Sequence, residues 1–171
     1  RDAETAGIAV QASLTGHLVL STLHTNDAPS TVARLINFGV EPYLFSAAVN
    51  AVLAQRLVRR ICGECKVPFK IEDPEMVEFL QTRGFDPEKI YKGKGCDRCR
   101  NTGYKGRVGI YELLVLDDVA RDLVVRSPNV TELRRICKER GMISLREDGL
   151  QKAAAGLTTV EEVLSATENT M

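Results

Sequence analysis

The stretch GHLVLSTLHTND, residues 16–27, holds both histidines of this 171-residue chain, His17 and His24, on either side of an apolar run. Within 18–23 the apolar side chains fall on both alternating faces, a pattern typical of a strand covered on both sides in a parallel α/β sheet. At about 3.3 Å per residue such a strand would separate the two imidazoles by roughly 23 Å, so they cannot share a metal ion. We therefore expect a buried strand with one histidine at each end.

His24 lies at the carboxyl end of the predicted strand, where open α/β sheets bind their ligands. Thr25 and Asn26 follow it, so an imidazole, a hydroxyl and an amide project from one loop and suit hydrogen bonding to a phosphate or a nearby water. The alternative is a loop that only makes a turn and caps the next helix. Spacing leaves both interpretations open for His24, whereas it favours a structural role for His17.

Helical patterns flank the predicted strand on both sides. Asp2 is a suitable N-terminal cap for a helix over about 2–14, and Pro29 suits the first turn of a helix that Gly39 ends. A further helix is predicted over about 43–55, followed by a short basic strand over 56–61. This alternation of helix and strand indicates α/β architecture, half of a doubly wound or RecA-like sheet.

Length and composition restrict the class of protein. A chain of 18.8 kDa, with 44% hydrophobic residues and 23 acidic against 23 basic side chains, is an ordinary globular protein with one full core and a small satellite. Its apolar runs are far shorter than the ~20 residues of a membrane span, so we expect any membrane association to be peripheral. The chain opens on Arg1 rather than methionine, and we expect it to be a fragment of a longer protein.

Four of the five cysteines form two C-x-x-C pairs, Cys62 with Cys65 and Cys96 with Cys99, separated by thirty residues. Each pair places two thiolates on one tight turn, and two such turns complete the tetrahedral shell that zinc accepts. Four sulfur ligands leave no open position, which favours a structural site over a catalytic one. Two disulfides or a redox pair are the alternatives. Cys137 is predicted to be a buried thiol.

The rest of the sequence divides into segments with different residue patterns. An inserted helix beginning at Asp73 is expected between the two cysteine pairs, strand character returns over 107–114, and the chain is helical from Asp117 onward. Asn129 and Thr158, each followed three residues later by a glutamate, match the capping pattern of two helix starts in this region. The predicted parts are a RecA-like core segment, a tetracysteine metal-binding subdomain, and a returning strand with a C-terminal helical region. Their bounds are 1–61, 62–106 and 107–171.

A basic patch accompanies the second cysteine pair. Between Lys89 and Arg107 there are seven lysines or arginines and one acid, Asp97. Such a patch can meet phosphates of nucleic acid or of lipid head groups, although a solvated face is the commoner explanation. Aromatic stacking platforms are sparse there, Tyr91 and Tyr104 only, so nucleic acid is disfavoured as a partner.

These residues together closely resemble one family. Residues 1–28 are similar to the stretch that follows the Walker B motif in type II secretion and type IV pilus assembly ATPases, and the resemblance continues through 53–59, the tetracysteine unit and 103–113. It implies a hexameric RecA-like motor of identical subunits that hydrolyses ATP with Mg²⁺ at the cytoplasmic face of the inner membrane, beside inner-membrane platform proteins. The tetracysteine unit favours the assembly branch over the retraction branch.

The resemblance also implies roles for individual residues. His24 becomes the catalytic candidate beside the γ-phosphate, within the histidine motif of the family. Arg56 and Arg107 lie where basic groups are placed to face a nucleotide or a neighbouring subunit. The residues implied in nucleotide binding are Thr25, Asn26, His17, Arg56 and Arg107.

One departure from the family limits what the chain can do by itself. No G-x-x-x-x-G-K-[ST] motif occurs in it, so nothing here cradles the α and β phosphates or places the lysine and the Mg²⁺-binding hydroxyl. We therefore expect the fragment neither to bind ATP tightly nor to hydrolyse it. The alternative function is a zinc-ribbon adaptor that binds nucleic acid or a membrane-protein partner through its basic patch, and binding to DNA that falls steeply with salt would favour it.

Overall fold

The computed structural model describes residues 2–168, which divide into two compact units. Unit 1 contains the chain through Ala54 together with Glu112–Ser144, and unit 2 contains Gln55–Tyr111 together with the chain from Leu145 onward. None of the described helices has the length and apolar character that crossing a bilayer requires.

Eight α-helices and four strands follow one another along the described residues. In chain order they are α1 (Ala3–Leu14), α2 (Ser30–Asn37), α3 (Pro42–Ala48), β1 (Ala51–Ile61), β2 (Lys66–Phe69), α4 (Pro74–Gln81), β3 (Ile90–Gly93), β4 (Tyr104–Val115), α5 (Asp118–Arg126), α6 (Val130–Glu139), α7 (Leu145–Ala154) and α8 (Val160–Ala166).

Side-chain caps set several helix starts, as the sequence predicts. The carboxylate of Asp2 accepts a hydrogen bond from the backbone of α1, and the amide oxygen of Asn129 accepts two from the start of α6. The cap of α8 lies one residue later than expected: Thr159 caps the helix, and the Thr158 hydroxyl donates to the carbonyl of Arg59 instead. Local hydrogen bonding therefore fixes these boundaries to within a residue.

The strand predicted over 18–23 is wrong for this chain. Residues 17–25 form no hydrogen-bonded strand, and Leu18 and Leu20 are 85% and 87% exposed. A strand buried in a parallel sheet needs neighbours on both edges and layers on both faces. Within residues 2–168 the strand pairs are β1 with β4 and β2 with β3. The apolar pattern is typical of a central strand whose neighbours the described chain does not supply.

The helix predicted over 43–55 is too long, because α3 ends at Ala48 and β1 already begins at Ala51. Exposed and half-buried side chains alternate with period two along the first half of β1, where a helix would show a period of 3.6. Pairing with β4 makes this stretch a strand rather than a helix. Next to the paired strands, the N–H of Leu116 donates to the carbonyl of Asn50 over 3.0 Å. Tertiary pairing overrides the helical propensity of this alanine- and leucine-rich stretch.

Strands β1 and β4 run antiparallel. Leu116, just after β4, bonds to Asn50, just before β1, whereas the N–H of Cys62 after β1 donates to the carbonyl of Gly103 before β4 over 2.9 Å. The strand predicted over 107–114 is thereby confirmed. In place of the parallel sheet expected from the sequence, the described residues form two antiparallel ribbons within an α/β fold.

The core of unit 1 joins helices to the end of β4. Phe45 of α3, Leu114 of β4, Val124 of α5 and Leu133 of α6 are all at most 2% exposed and belong to one apolar cluster. Cys137 belongs to the same cluster, as the sequence predicts for a buried thiol. Burial of this kind contributes about 25 cal/mol per Å² of apolar surface.

Unit 2 has its own core. Ile90 of β3, Leu80 of α4, Leu150 of α7 and Val163 of α8 are buried in one cluster. Gly149 lets α7 approach α8 closely, since a Cβ at that position would lie 2.5 Å from a methyl group of Val163. The residues around the cysteines thus pack with the last two helices, whereas the three parts predicted from the sequence follow chain order, and that division stays a prediction.

Candidate metal centre and histidine loop

The four paired cysteines of unit 2 converge. Their sulfur atoms all lie within 4.8 Å of one another. The Sγ atoms are 3.9 Å apart between Cys62 and Cys96 and between Cys65 and Cys99, and 3.7 Å apart between Cys96 and Cys99. A tetrahedron of sulfurs about 2.3 Å from a central zinc has edges of about 3.8 Å. The sulfurs therefore already surround a space that fits a four-coordinate ion.

The backbone around the second pair is specialised to form its turn. Cys96 and Cys99 lie on a single 3₁₀ turn, after which Arg100 and Asn101 adopt left-handed backbone angles, with φ of 53° and 61°. Gly103 follows with φ of 77°, and a Cβ there would lie 2.6 Å from the carbonyl oxygen of Gly93. Only glycine fits such a close approach of two backbones.

Backbone donors support the sulfur of Cys99. The N–H groups of Cys96 and Gly103 donate to Cys99 Sγ over 3.2 and 3.3 Å. Burial by itself would raise the pKa of Cys99, but these donors and the thiols of Cys96 and Cys65 lower it to about 6. Burial raises the pKa of Cys65 to about 11. Donation from the backbone to sulfur is the pattern that stabilises thiolate ligands.

The donor set decides which group these residues fit. Four sulfurs, with the residues Cys62 and Cys99 buried, match a soft or borderline metal ion and leave no open coordination position. The disulfide alternative does not describe the structure, because all five cysteines are free and the sulfur separations far exceed the ~2.05 Å of a disulfide bond.

The two histidines of unit 1 occupy different settings. His17 follows α1, and its Nδ1 lies 3.2 Å from both the carbonyl oxygen of Ala12 and the hydroxyl of Thr15. These contacts accord with the end-of-helix position, and the ring is exposed. His24 is also exposed and begins the loop that leads to α2.

The loop after His24 is closed by its own side chains. The Thr25 hydroxyl lies 3.1 Å from the carbonyl oxygen of Asp27, to which it donates, and 3.0 Å from the hydroxyl of Thr31. Asp27 is buried, and its Oδ1 accepts from the N–H of Ser30 over 2.8 Å at the start of α2. The loop thus makes a turn in which Asp27 accepts from the first residue of α2, and the imidazole of His24, three residues earlier, is exposed.

Two charged residues that contact this loop, Glu112 and Arg134, belong to no recognisable sequence motif. The buried carboxylate of Glu112 accepts from the N–H of Ala28 over 2.8 Å, across 84 residues of sequence. Arg134 donates to Asp27 over 2.5 Å, across 107 residues. The only sequence signal is a glutamate at an inward position of β4, and it becomes visible once the register of that strand is known.

The two arginines implied in nucleotide binding belong to unit 2. Arg56 is half-buried on β1 and Arg107 is exposed on β4. The lysines and arginines of the basic patch are exposed as well. Lys92 covers the ring of Phe69 at 3.9 Å, and Lys89 pairs with Asp86 at 3.4 Å. Part of the patch is therefore neutralised or engaged within unit 2.

Comparison with known proteins identifies the family. The family described as Type II/IV secretion system protein matches residues 1–165. The chain belongs to this family. The type IV pilus assembly ATPase PilB of Thermus thermophilus is 53% identical over 98% of the chain, and the type II secretion system protein E of Pseudomonas aeruginosa is 48% identical over 98%.

Solved structures of ATPases share the fold of this secretion-family chain. The pilus retraction motor PilT with bound ADP superposes with a TM-score of 0.64 at 24% identity, over 97% of the chain and 37% of PilT. The ATPase DotB of Legionella pneumophila gives 0.62 at 23% identity, over 95% of the chain and 35% of DotB. The chain spans only 19% and 33% of the length of the two curated relatives named above.

Proposed function

We propose that the chain is the C-terminal part of a motor ATPase that powers type II protein secretion or type IV pilus assembly. The observation that carries this proposal is the agreement, at about half of all positions and over nearly the whole chain, with proteins named as pilus assembly ATPase and type II secretion protein E. The motor is a hexamer of identical subunits with a partial RecA-like core, peripheral on the cytoplasmic face of the inner membrane and in contact with platform proteins there.

His24 is the catalytic candidate in this proposal, beside the γ-phosphate of an ATP·Mg²⁺ complex. Its support is the exposed imidazole at the start of a loop whose following residues are closed by hydrogen bonds. A histidine so placed can donate a hydrogen bond to a phosphoryl oxygen. Thr25, Asn26 and His17 accompany it, and Arg56 and Arg107 are candidates for contact with a nucleotide or a neighbouring subunit.

The four cysteines hold a structural zinc ion in this proposal. The sulfur separations and the backbone donors to Cys99 support it. Zinc would supply charge and bonds that hold the two turns together and take no part in hydrolysis, because no coordination position is open to a substrate.

The experiment that tests the motor assignment uses a protein of the length of the relatives, with its own P-loop. Changing His24→Gln there should lower kcat at least about tenfold, the scale on which loss of one positioned hydrogen-bonding group acts, with the KM for ATP little changed. His17→Gln is the comparison variant: His17 is the lesser of the two histidine candidates, and its change should lower kcat much less, because its ring contacts the end of α1.

The present chain gives the complementary measurement. Without a P-loop it should show no phosphate release above a protein-free blank. Turnover by the chain alone, or full activity of the His24→Gln motor, would contradict the proposed role.

A further inference from the structure

We infer that Asp27, Glu112 and Arg134 are positioning residues, which fix the loop that begins at His24 so that the imidazole is presented in one orientation. The inference rests on the proposed function for the role of His24. None of the three was a candidate in the sequence, and none needs to touch a nucleotide. They act on the backbone and side chains that follow His24.

The carboxylate of Asp27 is held at both oxygens. Its Oδ1 accepts from the N–H of Ser30 over 2.8 Å, and its Oδ2 accepts from the guanidinium of Arg134 over 2.5 Å. Asp27 is 2% exposed, so its charge lies away from water. Capping α2 accounts for the first bond only. The second bond ties the same loop to α6.

A second carboxylate holds the next residue of the loop. Glu112 of β4 is 5% exposed, and its Oε1 accepts from the N–H of Ala28 over 2.8 Å. Ala28 is fully buried. The loop is therefore held from two elements, from β4 by Glu112 and from α6 by Arg134, and both of these residues belong to unit 1.

Two buried carboxylates, one of them paired with a half-buried arginine, are a costly way to stabilise a turn. Desolvation of buried charges offsets most of their attraction, and well-packed apolar side chains often stabilise as much or more. What a charged network specifies is geometry, because both oxygens of Asp27 and Oε1 of Glu112 accept hydrogen bonds from fixed donors. Geometry matters at a reacting centre, where a displacement of about 1 Å can cost ~10²-fold in rate.

The present chain tests the positioning by NMR, since its two histidines give two ring signals and His17 serves as an internal reference. Changing Arg134→Met should raise hydrogen exchange at the Ala28 and Ser30 amides about tenfold or more, and should shift or broaden the His24 ring signal. The His17 ring and the amides of unit 2 should keep their wild-type behaviour. Arg134→Lys, which keeps the charge, should restore part of the protection.

The matched control lies on the same helix. Arg135 pairs with Glu139 at 2.7 Å, but both side chains are about 60% exposed, so Arg135→Met should leave exchange and both rings unchanged. If Arg134→Met does not fold, Asp27→Asn takes its place, because the amide oxygen keeps the bond to Ser30 and only the ion pair is lost. Unchanged exchange at Ser30, or equal changes at His17 and His24, would overturn the inference.

Kinetics in a motor-length protein separate this inference from the proposed function. Arg134→Met should lower kcat for ATP about tenfold with little change in KM, and Arg134→Lys should recover part of the loss. If His24→Gln leaves kcat unchanged, the proposed function fails, while the NMR result still decides whether the loop is held. If His24→Gln lowers kcat and Arg134→Met does not, the positioning role fails by itself.

Discussion

The tetracysteine centre and the histidine stretch 16–24 were both predicted from short motifs, but only the first has the predicted structure in the folded chain. The four sulfurs meet at separations that a metal requires, whereas the apolar run beside His17 lies exposed and unpaired. All parts of the first motif, including the turns and the glycines that admit them, lie within unit 2. The second motif has the apolar pattern of a strand, an element that forms only when neighbouring strands elsewhere in a sheet pair with it. A motif whose interacting residues all lie within it forms in this chain. A motif whose interacting residues lie elsewhere does not form without them.

Metal removal is expected to have the largest effect, and to affect unit 2 rather than unit 1. We expect about one zinc per purified chain, and binding energies of ~10–16 kcal/mol for structural zinc make the ion a major part of the folding free energy of unit 2. Chelation, or the change Cys99→Ser, should therefore abolish the dispersed NMR signals around β2 and β3. The α1 to α3 signals of unit 1 should persist, because their core contains no metal ligand.

The matched control is Cys137→Ser, which changes a cysteine outside the cluster. It should leave the zinc content at wild-type level and destabilise unit 1 alone. A preparation with intact reduced thiols and well under one zinc per chain would contradict the metal assignment.

Particular residues show what the sequence can and cannot predict here. Asp2 and Asn129 predict helix starts because a cap bonds to backbone two or three residues away. The four cysteines predict their cluster because their spacing already encodes two turns. The roles of Glu112 and Arg134 could not be predicted from the sequence, because their partners lie 84 and 107 residues away and no local pattern indicates such a pairing.

The second prediction concerns the ion pair that joins β1, just before the first cysteine turn, to α8. Hydrogen bonding from Arg59 lowers the pKa of Glu162 below its ordinary value of 4.5, with burial acting in the opposite sense. A lowered folded-state pKa stabilises the protein above about pH 4.5, and this contribution is lost as the pH falls through the folded value. Since the side chain of Arg59 is 58% exposed, the ion pair contributes about 1 kcal/mol at most to the free energy of unfolding.

The variant Glu162→Gln isolates that contribution. The difference in free energy of unfolding between wild type and variant, measured by urea titration, should be largest near pH 6.5 and should fall as the pH approaches 4. Acid also protonates the cysteine thiolates and releases metal, on which unit 2 is expected to depend. The comparison is therefore confined to the pH range in which both proteins keep their full metal content. A difference that stays constant with pH would show that the ion pair is not the cause.

The smallest expected effect lies in the histidine stretch itself. Leu20 is 87% exposed, so Leu20→Ser should change the free energy of unfolding of this chain by no more than about 0.5 kcal/mol. Leu114→Ala, in the core of unit 1 at 1% exposure, is the contrasting variant and should cost about 2–5 kcal/mol. In a motor-length protein, where the proposed RecA-like core would provide neighbouring strands, Leu20→Ser should instead cost several times more than in this chain. If it costs equally little in both, the apolar pattern of 18–23 does not encode a buried strand, and the placement of His24 at a ligand-binding sheet edge loses its structural basis.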